Sequence, residues 1–480
     1  MRSHVSGVAI TFLMLILASI AALPPAQAAV GPYPQFLRSF LASSFQGLGL
    51  PSDEAESLSR QAWPHFYNWT HSEVKVVDRC IAYDLKPVDF AAATKAKTLN
   101  LLTVRESGRT RAAVPAKGVL VAWGSQDKEG GEVGLTFINV NGFRMELTRL
   151  HVDRDELPAD RTCLGLDVGY DQSSGYVIPV VAWSDGHSLH VMAVPVATST
   201  FKWAQGVRTV TVTSPAVVTR LLLTLKPSLW GLNEYDQFRR VQVVYLGKTE
   251  TKSGRPGLAY LITFTGRNER KPWEYGYDLL YAVVKVYRDE TGWHARILQV
   301  GGLDLGFQSV VTYRIKPLSR DRKVLGLAVM ARWRQESAGV WFVTLGYTLN
   351  EDVAATLGWI NVLDYARVSD DQFYLPQTRT ALLDFAYVPM GKNRLRVLVV
   401  WNDSRFPWFI VDALNQEEIR RCLNASEFTV QDWNRAYIIY AQRLDVEFTT
   451  AQSGARPAKI VLPNGGPSNE PVAYLAGARV

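Results

Sequence analysis

The chain has 480 residues, of which 47% are apolar, 11% aromatic and 20% charged. That mixture excludes a disordered polymer and supplies a large core. The excess of 52 Lys and Arg over 45 Asp and Glu gives +7; it is scattered along the chain, which argues against the clustered basic face that nucleic-acid binding needs.

Residues 1–28 have the layout of a secretory signal. Arg2 and His4 precede an uncharged apolar stretch from Val8 to Leu23, then Pro24, Pro25 and the small-residue sequence Ala26-Gln27-Ala28. The expected cut after Ala28 leaves 452 residues carrying +6. Sixteen apolar residues are short for a bilayer about 30 Å thick, and no later segment reaches spanning length without charge. The reading is therefore a secreted or cell-envelope protein with no transmembrane segment in the mature chain.

Residues 29–104 read as a helical and mixed region. Phe36, Leu37, Phe40, Leu41 and Phe45 share one helical stripe, and Ser52, Asp53 and Glu54 start a second helix carrying Ala55, Leu58 and Ala62. Residues 105–117 are charged and rich in breakers, so they mark a linker. Export makes a disulfide possible between Cys80 and Cys163, both in strand-like stretches. Cys422 reads as a core thiol on a helix capped by Asn415.

From 118 to 452 short runs of Val, Ile, Leu, Tyr and Trp alternate with turn clusters, which argues for an all-β body. Hairpins are expected from Val177 to Val194, from Leu279 to Val300, from Leu327 to Leu345, and from Leu398 through a return at Trp408 to Val411. Aromatic residues end the strands at Trp123, Trp183, Tyr245, Tyr287, Trp333, Trp401 and Tyr440, about 53 residues apart on average. Units of that length with several strands each point to a β-propeller of about six or seven blades. A β-sandwich array is the competing architecture. Residues 453–480 form a Gly/Pro/Ala-rich tail.

The stretch Leu164-Gly165-Leu166-Asp167-Val168-Gly169-Tyr170-Asp171-Gln172-Ser173-Ser174-Gly175-Tyr176-Val177-Ile178 resembles the FG-GAP/VCBS type of propeller repeat, in which an aspartate-rich loop precedes an apolar strand. The resemblance implies calcium at that loop. Only Asp167 and Asp171 match its ligands, against the six to eight oxygens calcium takes, so the loop reads as vestigial.

No His-Glu-x-x-His, Gly-x-Ser-x-Gly or phosphate-binding glycine loop occurs, and no catalytic residue is assigned. His187 and His190, three apart on a hairpin, should point to opposite faces. Paired carboxylates, as in glycoside hydrolysis, are sought among Asp153, Asp155 and Glu156; Glu269, Glu274 and Asp278; and Asp364, Asp370 and Asp371. Trp183 with Asp185, and Trp401 with Asp403 and Trp408, are the candidate ligand-binding residues, since aromatic faces beside polar groups suit a sugar or peptide. The same tryptophans read first as sealing blade interfaces. The sequence thus points to a binding or interaction propeller with an unknown protein or carbohydrate ligand; the alternative is a secreted carbohydrate-active hydrolase.

Overall fold

A computed structural model describes residues 80–90, 101–106, 109–115, 117–126, 130–139, 144–197, 201–204, 207–212, 219–252, 254–268, 277–303, 305–333, 338–369, 381–403, 437–449, 458–462 and 471–475. The signal, the expected N-terminal helices, Cys422 and Trp408 lie outside them.

The chain enters the body at β1 (Cys80–Asp89), leaves it for the hairpin β2 (Leu101–Glu106) and β3 (Arg109–Pro115), and returns through β4 (Lys117–Gln126), β5 (Gly131–Asn139) and β6 (Arg144–Val152). Strands β1-β4-β5-β6 form the first antiparallel blade. The second starts with β7 (Leu164–Asp171), β8 (Tyr176–Ser184) and β9 (Leu189–Ala193). β10 (Val196–Ala197) pairs back onto β8, and an excursion through β11 (Phe201–Ala204) and β12 (Val207–Val212) then precedes its last strand, β13 (Leu221–Leu225). The third blade is β14 (Tyr235–Lys248), β15 (Leu258–Asn268), β16 (Tyr277–Asp289) and β17 (Gly292–Gly302). The fourth is β18 (Phe307–Ser319), β19 (Val324–Trp333), β20 (Ala338–Tyr347) and, after the short helix α1 (Glu351–Leu357), β21 (Ile360–Arg367). The fifth is β22 (Leu383–Pro389), β23 (Arg394–Asp403) and β24 (Tyr437–Glu447), with β25 (Lys459–Val461) and β26 (Pro471–Leu475) both paired to β24.

The fold is an all-β propeller, with five such blades among the described residues. A sixth sheet, β11-β12-β2-β3, is assembled from the excursions of the first two blades through a parallel β12/β2 pairing. Among the described residues the body therefore already includes Cys80–Asp89, ahead of residue 118. The stretch expected as a linker at 105–117 contains the end of β2, β3 and the start of β4, and the region after 453 supplies two strands of the fifth blade. Three expected hairpins form, as β8/β9, β16/β17 and β19/β20. The return of the fourth, at 408–411, lies outside the described residues; β23 itself pairs with β22 on one edge and β24 on the other.

Each blade buries its faces against its neighbours. One apolar cluster joins the first and second blades around Leu120, Leu135, Phe137, Leu166 and Trp183. Others join the second to the third around Ile178, Tyr260 and Phe264, the third to the fourth around Leu261, Tyr313 and Trp341, and the fourth to the fifth around Phe342, Phe385 and Trp401. At Gly165 an added Cβ would lie 2.9 Å from both the Gln242 Cα and the Val241 carbonyl oxygen, so the first strands of neighbouring blades touch backbone to backbone. Among the described residues no helix is long and apolar enough to cross a membrane.

Candidate functional site

The first strand of each blade is an edge strand, with a row of backbone groups that its own sheet leaves unpaired. Edge strands are ordinarily covered or blunted, and unpaired backbone groups away from water are costly. Here β1, β7, β14, β18 and β22 pack side by side in that order, and side chains of one strand bond the backbone of the next. The Leu166 amide donates to Asp84 Oδ2 at 2.8 Å, and the Tyr245 amide to Asp167 Oδ2 at 2.7 Å. Gln242 serves the third joint twice: its Nε2 donates to the Tyr313 carbonyl at 2.7 Å, and its Oε1 accepts from the Ile315 amide at 3.2 Å. At the fourth joint Lys316 Nζ donates to the Phe385 carbonyl at 2.6 Å and the Tyr387 hydroxyl to the Pro317 carbonyl at 2.5 Å.

These links fix the true repeat. Bonded residues are 81 and 82 apart between the first two blades, 78 between the next pair, 71 to 73 between the third and fourth, and 69 and 70 between the last two. Near-constant offsets within each joint mean that the five strands run parallel around one axis. The shorter mean of about 53 arises because Tyr245 and Tyr287 share the third blade, while Trp401 and Tyr440 share the fifth.

The charged groups along this axis are arranged by the same strands. Asp84 also accepts from the Leu85 amide, and Asp167 from the Val168 amide. Lys86 Nζ reaches Asp167 at 3.1 Å, and Lys316 Nζ reaches Asp384 at 2.5 Å, each lysine pairing with an aspartate of the following blade. Asp384 accepts from the Phe385 amide. Burial pushes the Asp84 carboxyl up despite the Leu166 amide and Lys86. Burial would lower Lys86, but Asp167 and Asp84 outweigh it and hold the ammonium above its ordinary range. Lys316 goes the other way, because burial outweighs Asp384.

Two arginines mark the axis. The Arg320 guanidinium stands 5.3 Å from the Tyr245 ring centre, and its charge acts on Lys86, Tyr170, Tyr347 and Tyr387, so it reaches all five blades where the inner strands end. Arg314 is exposed, and its charge acts on Asp84, Arg240 and Lys316.

The residues singled out from sequence fall elsewhere. Trp183 is buried, donates its indole N–H to the Glu156 carbonyl at 2.8 Å and stacks on His190. Trp401 is fully buried and stacks on Tyr440. Both rings are therefore blade packing rather than open platforms. Asp185 closes the β8/β9 turn, accepting from the His187 and Ser188 amides and from His190 Nε2 at 2.9 Å; these bonds outweigh the burial that would raise it and hold it below the usual range. His190 is buried on β9, whereas His187 is exposed in the turn before that strand. Asp403 ends β23.

Asp167 and Asp171 do not fit a calcium ion. The oxygens of Asp167 face two amides and an ammonium, and Asp171 is held at the next turn by the Ser173 and Ser174 hydroxyls. Cys163 is a free thiol directed at the Phe238 carbonyl, so the expected bridge to Cys80 is not made. Burial, reinforced by the Asp160 charge, pushes that thiol up to about 12.

Of the acid groups, Asp153, Asp155 and Glu156 are exposed on a turn, Asp278 accepts from Tyr235 and Asn268, and Asp364 accepts from the Ile460 amide. Glu269, Glu274, Asp370 and Asp371 lie outside the described residues. The axial residues Asp84, Lys86, Gln242, Arg314, Lys316 and Asp384 escape a reading keyed to aromatic strand ends. One signal for them is present: Tyr83-Asp84-Leu85-Lys86-Pro87 and Tyr313-Arg314-Ile315-Lys316-Pro317 match at Tyr, an aliphatic residue, Lys and Pro.

No family model and no curated protein matches the chain. Among solved structures, a full-length beta-fructofuranosidase from Microbacterium saccharophilum K-1 aligns over 74% of this chain and 72% of its own, at 9% identity and a TM-score of 0.30.

Proposed function

We propose that this chain is an exported β-propeller that binds a protein or carbohydrate ligand without catalysing a reaction on it. The observation that carries the reading is the state of three axial carboxylates among the described residues. Asp84, Asp167 and Asp384 each accept backbone amides, and the last two also face lysines. A hydrolytic pair needs one acid free to give a proton and another free to meet substrate or water. Acids locked onto neighbouring strands hold the blades in register instead. The likeness of the Asp167 loop to FG-GAP/VCBS repeats then reflects blade architecture without the ion.

Export follows from residues 1–28 and implies that the ligand is met outside the cytoplasm. The mature chain is expected to bind at least one member of a panel of soluble glycans and envelope proteins and to release no reducing ends from any glycan. Turnover that disappears in Asp84→Asn or Asp167→Asn, with the fold intact by circular dichroism, would replace this reading with the hydrolase alternative.

A further inference from the structure

The inner strand of the third blade is distorted where it meets the axis. β14 slips register against β15 between Asp236 and Arg239 and again between Arg239 and Gln242. Gln237 and Arg240 have φ of 50° and 54°, in the left-handed region that side-chain-bearing residues avoid. Bulges of this kind re-aim side chains, and strained non-glycine backbone clusters where a site needs it.

What the distortion aims is Arg240. Its Nη1 donates to Thr312 Oγ1 of the fourth blade at 2.9 Å, and its carbonyl accepts the Tyr313 hydroxyl at 2.5 Å. Burial pushes the Arg240 guanidinium down to about 10, and the like charge of Arg314 adds to that. Arg314 follows Tyr313 on the same strand, is exposed, and makes no hydrogen bond or ion pair among the described residues. Lys316, two residues on, feels the same repulsion from Arg314.

The acids nearby are already engaged. Asp84 holds the Leu85 and Leu166 amides, and Asp160 holds the Thr162 amide and hydroxyl at 2.7 and 2.6 Å. The axis thus gathers Arg240, Arg314 and Lys316 from two adjacent blades; Lys316 is paired with Asp384, and the Arg314 guanidinium is open to solvent. A guanidinium fork matches the paired oxygens of a carboxylate, sulfate or phosphate group, and such charge-assisted bonds are about twice as strong as neutral ones.

We propose that Arg314, backed by Arg240, is the seat for an oxyanion group carried by the ligand of this propeller. The proposal rests on the binding reading above and deepens it by naming the ligand's chemistry. Two sources share that chemistry, a carboxylated saccharide and a sulfated one, and the probes separate them.

The test is calorimetric titration of the mature chain at low ionic strength with galacturonic acid trimer, its neutral methyl ester, and inorganic sulfate. Saturable binding of the trimer or of sulfate, with none of the ester, is expected; the trimer alone points to carboxylate, sulfate alone to the sulfated source. Arg314→Glu should weaken that binding at least about tenfold, equivalent to about 1.4 kcal/mol, with the fold intact by circular dichroism. Arg314→Lys should retain part of it, and added salt should weaken it. Failure of both charged probes to saturate, or equal binding by Arg314→Glu, overturns the seat. Reducing ends released from the trimer would instead remove the non-catalytic reading, so the two failures are distinguishable.

Discussion

Asp167→Ala is expected to cost about 3 kcal/mol of unfolding free energy, read as a shift of the urea midpoint. The side chain is 4% exposed and accepts the Val168 and Tyr245 amides. Truncation leaves those donors without an acceptor, and a buried unsatisfied group costs about 1–3 kcal/mol. The ion pair with Lys86 adds little, because the lysine is 37% exposed and pairs open to solvent contribute about 0–1 kcal/mol. Asp167→Asn, which keeps one acceptor oxygen, should lose about half as much. Asp171→Ala is the control: it belongs to the same sequence motif but holds only its own turn and Lys248, and should cost within about 1 kcal/mol. Equal losses for Asp167→Ala and Asp171→Ala would show that Asp167 does not tie the second blade to the third.

The second large effect concerns the tryptophans. Trp183→Ala and Trp401→Ala should each cost about 3–5 kcal/mol, the range for emptying a buried aromatic site. Trp183 is 2% exposed and Trp401 fully buried, each between two blades. Their phenylalanine variants should separate. Trp183→Phe strands the Glu156 carbonyl that its indole serves, whereas the Trp401 indole nitrogen is buried with no hydrogen-bond partner. Trp183→Phe is therefore the costlier of the two, by about 1 kcal/mol. A stacking platform would behave differently, with ligand affinity falling in Trp401→Ala at unchanged stability.

Hairpins such as β8/β9 and β16/β17 are legible in the sequence because apolar runs stop at Asp-Gly and Thr-Gly turns. Blade number is not, since two blades carry two aromatic strand ends and two are interrupted by the excursions that build the extra sheet. That Cys80–Asp89 belongs to the body is hidden for the same reason: β1 finds its partner β4 only after β2 and β3 intervene. The axial residues are harder still. Asp84, Gln242 and Lys316 sit in strands that carry other polar residues as well, and each acts on a strand about 70 to 80 residues away. Local pattern contains nothing at that range. The Trp183 and Trp401 positions were readable, and their packing role follows from lying at strand ends between blades.

Side chains of one inner strand satisfy the backbone of the next, so that the axial charges are structural. Residue-resolved amide exchange tests it most directly at Leu166, Tyr245 and Ile315, whose amides donate to Asp84, Asp167 and Gln242. These three should exchange as slowly as ladder amides of the same sheets, and in Asp167→Ala the protection of Tyr245 should fall well below that of Leu166 and Ile315. Exchange of the three at the rate of an open strand edge in the unmodified protein, or an unchanged Tyr245 in Asp167→Ala, would contradict it.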